Sequence, residues 1–167
     1  MASDFYLTIK DVKGEATATG MTDFMELSSF SFGASNPSTI GSQGGGSAAG
    51  KVSLSSFNVM KRTDKASPTL FQMCCTGQHA ATAEVQIKKA TGKDGEQQTF
   101  IKYVFTEVYI DSIQWSGSSG GDTYPAESLS FSFESVMVSY FPQDKAGKIA
   151  TKSEDAAWNL TTNSAKA

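Results

Sequence analysis

The stretch Ser128-Leu129-Ser130-Phe131-Ser132-Phe133-Glu134-Ser135-Val136-Met137-Val138-Ser139-Tyr140-Phe141-Pro142 decides the fold class. Large apolar side chains recur at every second residue, the period of a strand with one buried face and not of a helix. Leu129, Phe131 and Phe133 share one parity, whereas Val136, Val138 and Tyr140 share the other. An extra residue, or a bend that carries the strand from one sheet to another, accounts for such a switch. Pro142 ends the strand because its nitrogen has no proton to give to a ladder.

Working outward from this segment, the same alternation appears throughout the chain. Phe5, Leu7 and Ile9 point one way and Tyr6, Thr8 and Lys10 the other, with a turn over Asp11–Gly14. From Asp23 to Ala34, Phe24, Phe30 and Phe32 fall on one parity and Met25, Leu27, Ser29 and Ser31 on the other. Val52 and Leu54 shift phase to Phe57 and Val59, which predicts a bulge near Ser55 or Ser56. Ala83, Val85 and Ile87 alternate with Glu84, Gln86 and Lys88, and Gly92-Lys93-Asp94-Gly95 predicts a hairpin turn. From Thr99 to Trp115, Ile101, Tyr103 and Phe105 oppose Phe100, Val104, Val108 and Ile110, so this long strand reads as apolar on both faces. Residues 116–122 form the next turn, Trp158-Asn159-Leu160 is expected as a short terminal strand, and 161–167 as a frayed tail.

One helix interrupts the strands. Ser67-Pro68 supplies a capping side chain followed by a proline at the first helical position, Thr69–Thr76 form the body, and Gly77 stops it. Leu70, Met73 and Cys74 fall on one stripe that Phe71 and Cys75 widen, so the helix is expected to lie against the sheet, with buried, unreactive thiols. Seven or eight strands and one short helix in 167 residues indicate an all-β single domain, a sandwich or closed barrel. Residues 41–50 contain no large apolar side chain and read as a flexible loop.

Composition narrows the function. The net charge is −3 and no lysine or arginine stripe occurs, which argues against nucleic acid. The N-terminus lacks the charged and apolar regions of a secretory signal, and no apolar run is long enough to span a membrane. Synthesis in the cytoplasm is therefore expected, with any export independent of such a signal. Cys74 and Cys75 are adjacent and the chain has a single histidine, His79, so neither a disulfide framework nor a metal site is expected. Gly45-Gly46-Ser47-Ala48-Ala49-Gly50-Lys51 matches the glycine and lysine spacing of a phosphate loop, yet Val52 stands where a hydroxyl must hold magnesium, and a strand follows instead of a helix. A thiol–imidazole pair of Cys74 or Cys75 with His79 is the remaining enzymatic reading, and it conflicts with inward-facing thiols. No catalytic residue and no cofactor is expected. Apolar side chains on both faces of several strands point to burial against another copy, with Met25, Leu27, Val108 and Ile110 as candidates for a subunit contact or a second core face.

The chain also resembles the haemolysin-coregulated protein (Hcp) family of the bacterial type VI secretion system. The residues that carry the resemblance are Asp11-Val12-Lys13-Gly14-Glu15, Phe30-Ser31-Phe32-Gly33, and Gly44 through Val52. Asp64-Lys65-Ala66-Ser67-Pro68, Cys75-Thr76-Gly77 with His79, Lys88-Lys89-Ala90 and Trp158-Asn159-Leu160 follow in order. Phe30 and Phe32 stand where members often have Trp, Ala157 where they have Gly, and two cysteines where they have one. The resemblance implies a two-sheet β-barrel, homo-hexameric rings stacked into a tube inside a contractile sheath, a spike protein at the tip, and a relationship to phage tail tubes. It further implies export of the tube with effector proteins in the lumen. The alternatives are a soluble effector chaperone or receptor that does not itself polymerise, and a phage tail-tube-like protein. On that basis Ser29 and Ser31 are candidates for cargo contact in the lumen, and Gly44, Gly45, Gly46, Ser47 and Gly50 for contact between stacked rings.

Overall fold

A computed structural model of the chain describes residues 3–37, 51–90, 97–120, 123–145 and 147–165. The glycine-rich segment 41–50, including the ring-stacking candidates Gly44, Gly45, Gly46, Ser47 and Gly50, lies outside the described residues, as does the Gly92–Gly95 turn.

The strands are β1 (Ser3–Ile9), β2 (Met25–Ser31), β3 (Ala34–Ser35), β4 (Ser53–Leu54), β5 (Phe57–Arg62), β6 (His79–Ala90), β7 (Gln97–Ser116), β8 (Ala126–Ser132), β9 (Ser135–Tyr140) and β10 (Glu154–Asn159), with helix α1 (Ser67–Thr76) between β5 and β6. Six of them close a barrel in the order β7-β6-β1-β2-β5-β8, and the second β7–β8 pairing completes the circuit. β9 and β10 extend the sheet outward from β7, and β3 pairs with β4 as a separate two-stranded arm. Every neighbouring pair in the barrel is antiparallel.

Closure depends on strands that change sheet part-way along. The first part of β7 pairs with β6 and β9, and its second part, from Tyr109 to Ser116, pairs with β8. Between the two parts the buried side switches parity: Phe105 faces the core, Glu107 takes a left-handed backbone (φ 47), and Val108 and Ile110 then face the same core. β2 does the same through a bulge between Leu27 and Ser29, so Met25 and Leu27 point inward before the bulge and Phe30 packs inward after it. The expected switch between Phe133 and Val136 separates β8 from β9, and the expected phase shift near Ser55 separates β4 from β5.

Met25, Leu27, Val108 and Ile110, for which the sequence left open a subunit contact or a second core face, belong to the core. All four are between 0 and 8% exposed within one core cluster, so they have no surface to give to a neighbour. The apparent second apolar face of β2 and of much of β7 is one inward face seen in two phases.

An aromatic column fills the barrel. Phe57 stacks on Phe30 (5.5 Å) and Phe131 (5.3 Å) and meets Phe105 edge-on at 5.1 Å, while Phe32 packs on Phe133 at 5.7 Å. Such pairs add about 0.5–1.5 kcal/mol each beyond the area they bury. The segment after β1 folds back over the outside of the barrel, where Ala16 and Met21 bury the outward-facing Tyr6. Burial, and then the carboxylates of Asp4 and Glu26, push the Tyr6 phenol above its ordinary range.

Helix α1 differs in detail from the sequence reading. Ala66, not Ser67, stands at its N-cap, and the Asp64 carboxylate accepts the Ala66 N–H (2.9 Å) while the Ser67 hydroxyl accepts the Asp64 N–H (3.1 Å). Gly77 closes the other end with φ 70, a backbone open to glycine, and donates to the Met73 carbonyl (2.9 Å). Leu70 and Met73 face the barrel. Because successive residues turn about 100° around a helix, Phe71 and Cys75 point away, and both are exposed rather than widening the buried stripe. At the C-terminus, β10 includes the expected Trp158, and the chain does not fray at once: the Asn159 side chain accepts the Thr162 N–H (2.8 Å), and backbone bonds pair Asn159 with Ser164.

Gly14 tests how closely the covering segment is fitted. A Cβ there would lie 2.2 Å from the Phe24 carbonyl oxygen, a backbone atom that cannot rotate away. Gly14→Ala is expected to cost at least about 2 kcal/mol, because the backbone near Phe24 has to move. Chemical denaturation checks this, and an unchanged midpoint would show that the segment yields freely.

Candidate functional site

Two features outside the aromatic column stand out: a small polar face on the outer side of the barrel, and a charged cluster buried at one end of it. The face follows from alternation. In β5 the pattern Phe57-Asn58-Val59-Met60-Lys61-Arg62 buries the odd positions and exposes Asn58, Met60 and Arg62. In β8 it buries Glu127, Leu129 and Phe131 and turns Ser128, Ser130 and Ser132 outward. After its bulge, β2 exposes Ser29 and Ser31 on either side of Phe30.

Register aligns these outward residues into two rows across four strands. One runs Ser29, Met60, Ser128, Gln114 and the other Ser31, Asn58, Ser130, Ser112. With strands about 4.8 Å apart, the face is roughly 14 Å wide. Within it, the hydroxyls of Ser112 and Ser130 share a hydrogen bond of 2.7 Å. At one end the Asp111 carboxylate accepts from Ser56 (2.7 Å) and Ser132 (2.8 Å). Glu26 and Arg62 lie at the other end, lining an open concavity of about 470 Å³ with Glu15, Asp64 and Tyr124. No charged side chain belongs to either row. Ser29 and Ser31, the cargo candidates, therefore sit on one continuous face with residues the sequence reading did not single out: Asn58, Met60, Ser128, Ser130, Ser112 and Gln114. Their signal was available, since each has the parity opposite to a neighbouring Phe, Val, Leu or Ile.

The buried cluster lies at the end of the face near Arg62, on the inner side. Lys61 and Glu127 are direct cross-strand partners, both on the inward parity, and are 1% and 0% exposed. The Lys61 ammonium donates to Asp64 Oδ1 (2.8 Å), the Arg62 carbonyl (3.1 Å) and Ser67 Oγ (3.2 Å). Its three protons are thereby directed, and Glu127 Oε1 is held in charge contact at 3.0 Å. Glu127 Oε2 accepts the indole N–H of Trp115 at 2.6 Å. This too was missed, though a Lys in phase with Phe57 and Val59 and a Glu in phase with Leu129 and Phe131 already imply a buried pair.

The enzymatic readings find other partners. Cys75 is exposed and Cys74 partly buried, its sulfur 3.8 Å from the Asp111 carbonyl, which corrects the expectation of two buried thiols. The His79 imidazole is engaged by Glu107 (Nε2 to Oε2, 3.0 Å) and lies against the Tyr109 ring. The apparent phosphate loop leads into strand β4 after Val52, and its glycines lie outside the described residues.

A family model described as "Type VI secretion system effector, Hcp" matches residues 6–140. This chain belongs to the Hcp family. The protein hcp1 of Pseudomonas aeruginosa is 31% identical over 163 residues, 98% of each chain. A solved structure described as that of a type six secretion system protein is 35% identical, with a TM-score of 0.91 over 99% of this chain and 100% of that one. Hcp1 from Salmonella typhimurium is 26% identical, with a TM-score of 0.78 over 98% of each chain. The all-β barrel with one helix is thus the Hcp fold, and the protein is a type VI secretion protein. Among the described residues no helix is long and apolar enough to cross a membrane.

Lys61→Met leaves Glu127 charged and buried without its counter-ion and is expected to cost about 3–5 kcal/mol. Adding Glu127→Leu is expected to recover most of that loss, because the stranded charge goes with it. Denaturant unfolding of the two single variants and the double variant measures the coupling; additive losses would mean that the pair does not act as a unit.

Proposed function

We propose that this Hcp-family chain is a structural subunit of the type VI secretion tube, acting by assembly and not by catalysis. Six copies close into a ring, rings stack into a tube within a contractile sheath beneath a spike protein, and the tube leaves the cell with effectors in its lumen. The observation that carries this reading is agreement over the whole chain, in sequence and in fold, with type VI secretion proteins. The outward face of β2, β5, β8 and the end of β7 supports a lumenal role for Ser29 and Ser31: small side chains leave room, and their hydroxyls offer donors and acceptors to a passing protein. The one-domain barrel is the repeating unit. Residues 41–50 join strands β3 and β4 of the small arm, and in this reading Gly44, Gly45, Gly46, Ser47 and Gly50 reach the next ring.

Light scattering and electron micrographs of the purified protein test ring formation, and solid discs or monomers would count against it. Ser31→Gln places a longer side chain on the exposed face and is expected to abolish effector retention while rings persist; normal retention would remove Ser31 from the lumen. Deleting residues 41–50 is expected to leave single rings and impair stacking. Unimpaired tubes would sink the stacking role, and native protein that forms rings and retains effector without ever stacking would favour a travelling chaperone.

A further inference from the structure

We infer that Met60 is the specificity-determining anchor of the cargo face, and that the cargo it selects is a folded protein presenting an uncharged apolar knob. The inference rests on the lumenal reading of that face and adds to it the chemistry of the partner. Met60 is 39% exposed at an outward position of β5, flanked across the strands by Ser29 and Ser128. Both neighbours are short, so a long thioether stands above a bed of hydroxymethyl groups with no side chain beside it in the row tall enough to cover it. Methionine suits this position because an unbranched, polarisable side chain can adapt to apolar partners of different shape.

Charge decides the class of occupant. Neither row holds a charged side chain, and Asp111 at one end already accepts two serine hydroxyls. A Lys- or Glu-rich surface docking over the two rows gives up its water against side chains that carry no counter-charge, since Arg62 and Glu26 at one end and Asp111 at the other lie beyond the rows, which is unfavourable. An apolar knob loses no such hydration and gains the burial of the Met60 side chain, while the flanking serines can satisfy the knob's polar rim. The aromatic column behind holds the platform firm, since Phe57 and Val59 alternate with Asn58 and Met60 on the same strand. In a ring the anchor is repeated once per subunit, so modest contacts add through multivalency.

The test uses the full chain, with rings verified by light scattering for every variant, and two probe proteins. One probe is a folded helical bundle with a single exposed Leu–Phe patch, and the other is the same bundle with Lys–Glu in place of that patch. Rings of the native chain are expected to capture the first probe and not the second in a fluorescence titration. Met60→Ser is expected to weaken capture by about tenfold and Met60→Leu by less than about threefold, as apolar burial requires. Capture unchanged by Met60→Ser but lost with Ser31→Gln would overturn the anchor and leave the lumenal face standing. Capture unchanged by either substitution would overturn both, and preferential capture of the Lys–Glu probe would reverse the assigned cargo chemistry.

Discussion

The contact between Lys61 and Glu127 is the constraint from which the order of the barrel follows. Two opposite charges on inward parities can leave water only if they meet, and they meet in a single register of β5 against β8. A slip by one residue would set Lys61 opposite Ser128 or Ala126, turning the outward residues of one strand into the core and parting the two charges. The same ammonium holds Asp64 and Ser67 at the start of α1, and the same carboxylate holds Trp115 near the end of β7. One buried pair therefore joins the closing strands of the barrel and the helix beside them. Buried ion pairs are poor sources of net stability because desolvation offsets their attraction. What this one contributes is uniqueness: alternative registers leave a charge without a partner.

Much of the fold could be read from alternation alone, and the reading failed where backbone geometry enters. Strands, the helix and the switch between Phe133 and Val136 follow from side-chain period, a property of sequence. Met25 and Leu27 against Phe30, or Phe105 against Val108 and Ile110, look in sequence like two apolar faces, because a bulge changes phase without a residue that marks it. The left-handed backbone of Glu107 is the clearest case, since nothing about a glutamate announces it. On the helix, stripe width was overestimated because apolar character does not distinguish Phe71, which packs sideways on Trp115, from Leu70, which packs beneath. The serine face was legible only in part. Ser29 and Ser31 were marked by their place between phenylalanines, whereas the rows they belong to exist through cross-strand register.

Correcting the two-faced strands also changes the argument for assembly. Apolar residues on both faces had suggested a hidden surface awaiting a second copy, and for Met25, Leu27, Val108 and Ile110 that surface is the molecule's own core. Larger apolar side chains that do remain outside, such as Phe71, Tyr109 and Tyr140, are separate features and not a continuous face of β2 or β7. The weight of the assembly reading moves to kinship over the whole chain and to a broad face of small polar residues. The channel wall proposed above has different requirements from a subunit contact: in that reading it must stay solvated when empty and still hold a passenger, which favours serine and asparagine over leucine.

The alternation that folds the barrel also separates its two tasks. In β5 and β8, each inward Phe, Val or Leu is followed by an outward Asn, Met or Ser, so core and face are written in alternate letters of one segment. A substitution at Met60 or Ser31 alters what the face offers while Phe57, Phe30 and Phe131 remain stacked. A substitution at Lys61 does the reverse, leaving the face composition intact and loosening the register that aligns it. The chemistry of the outward face can therefore vary at little cost to the barrel, provided that the inward letters and the buried pair that fixes their register are kept.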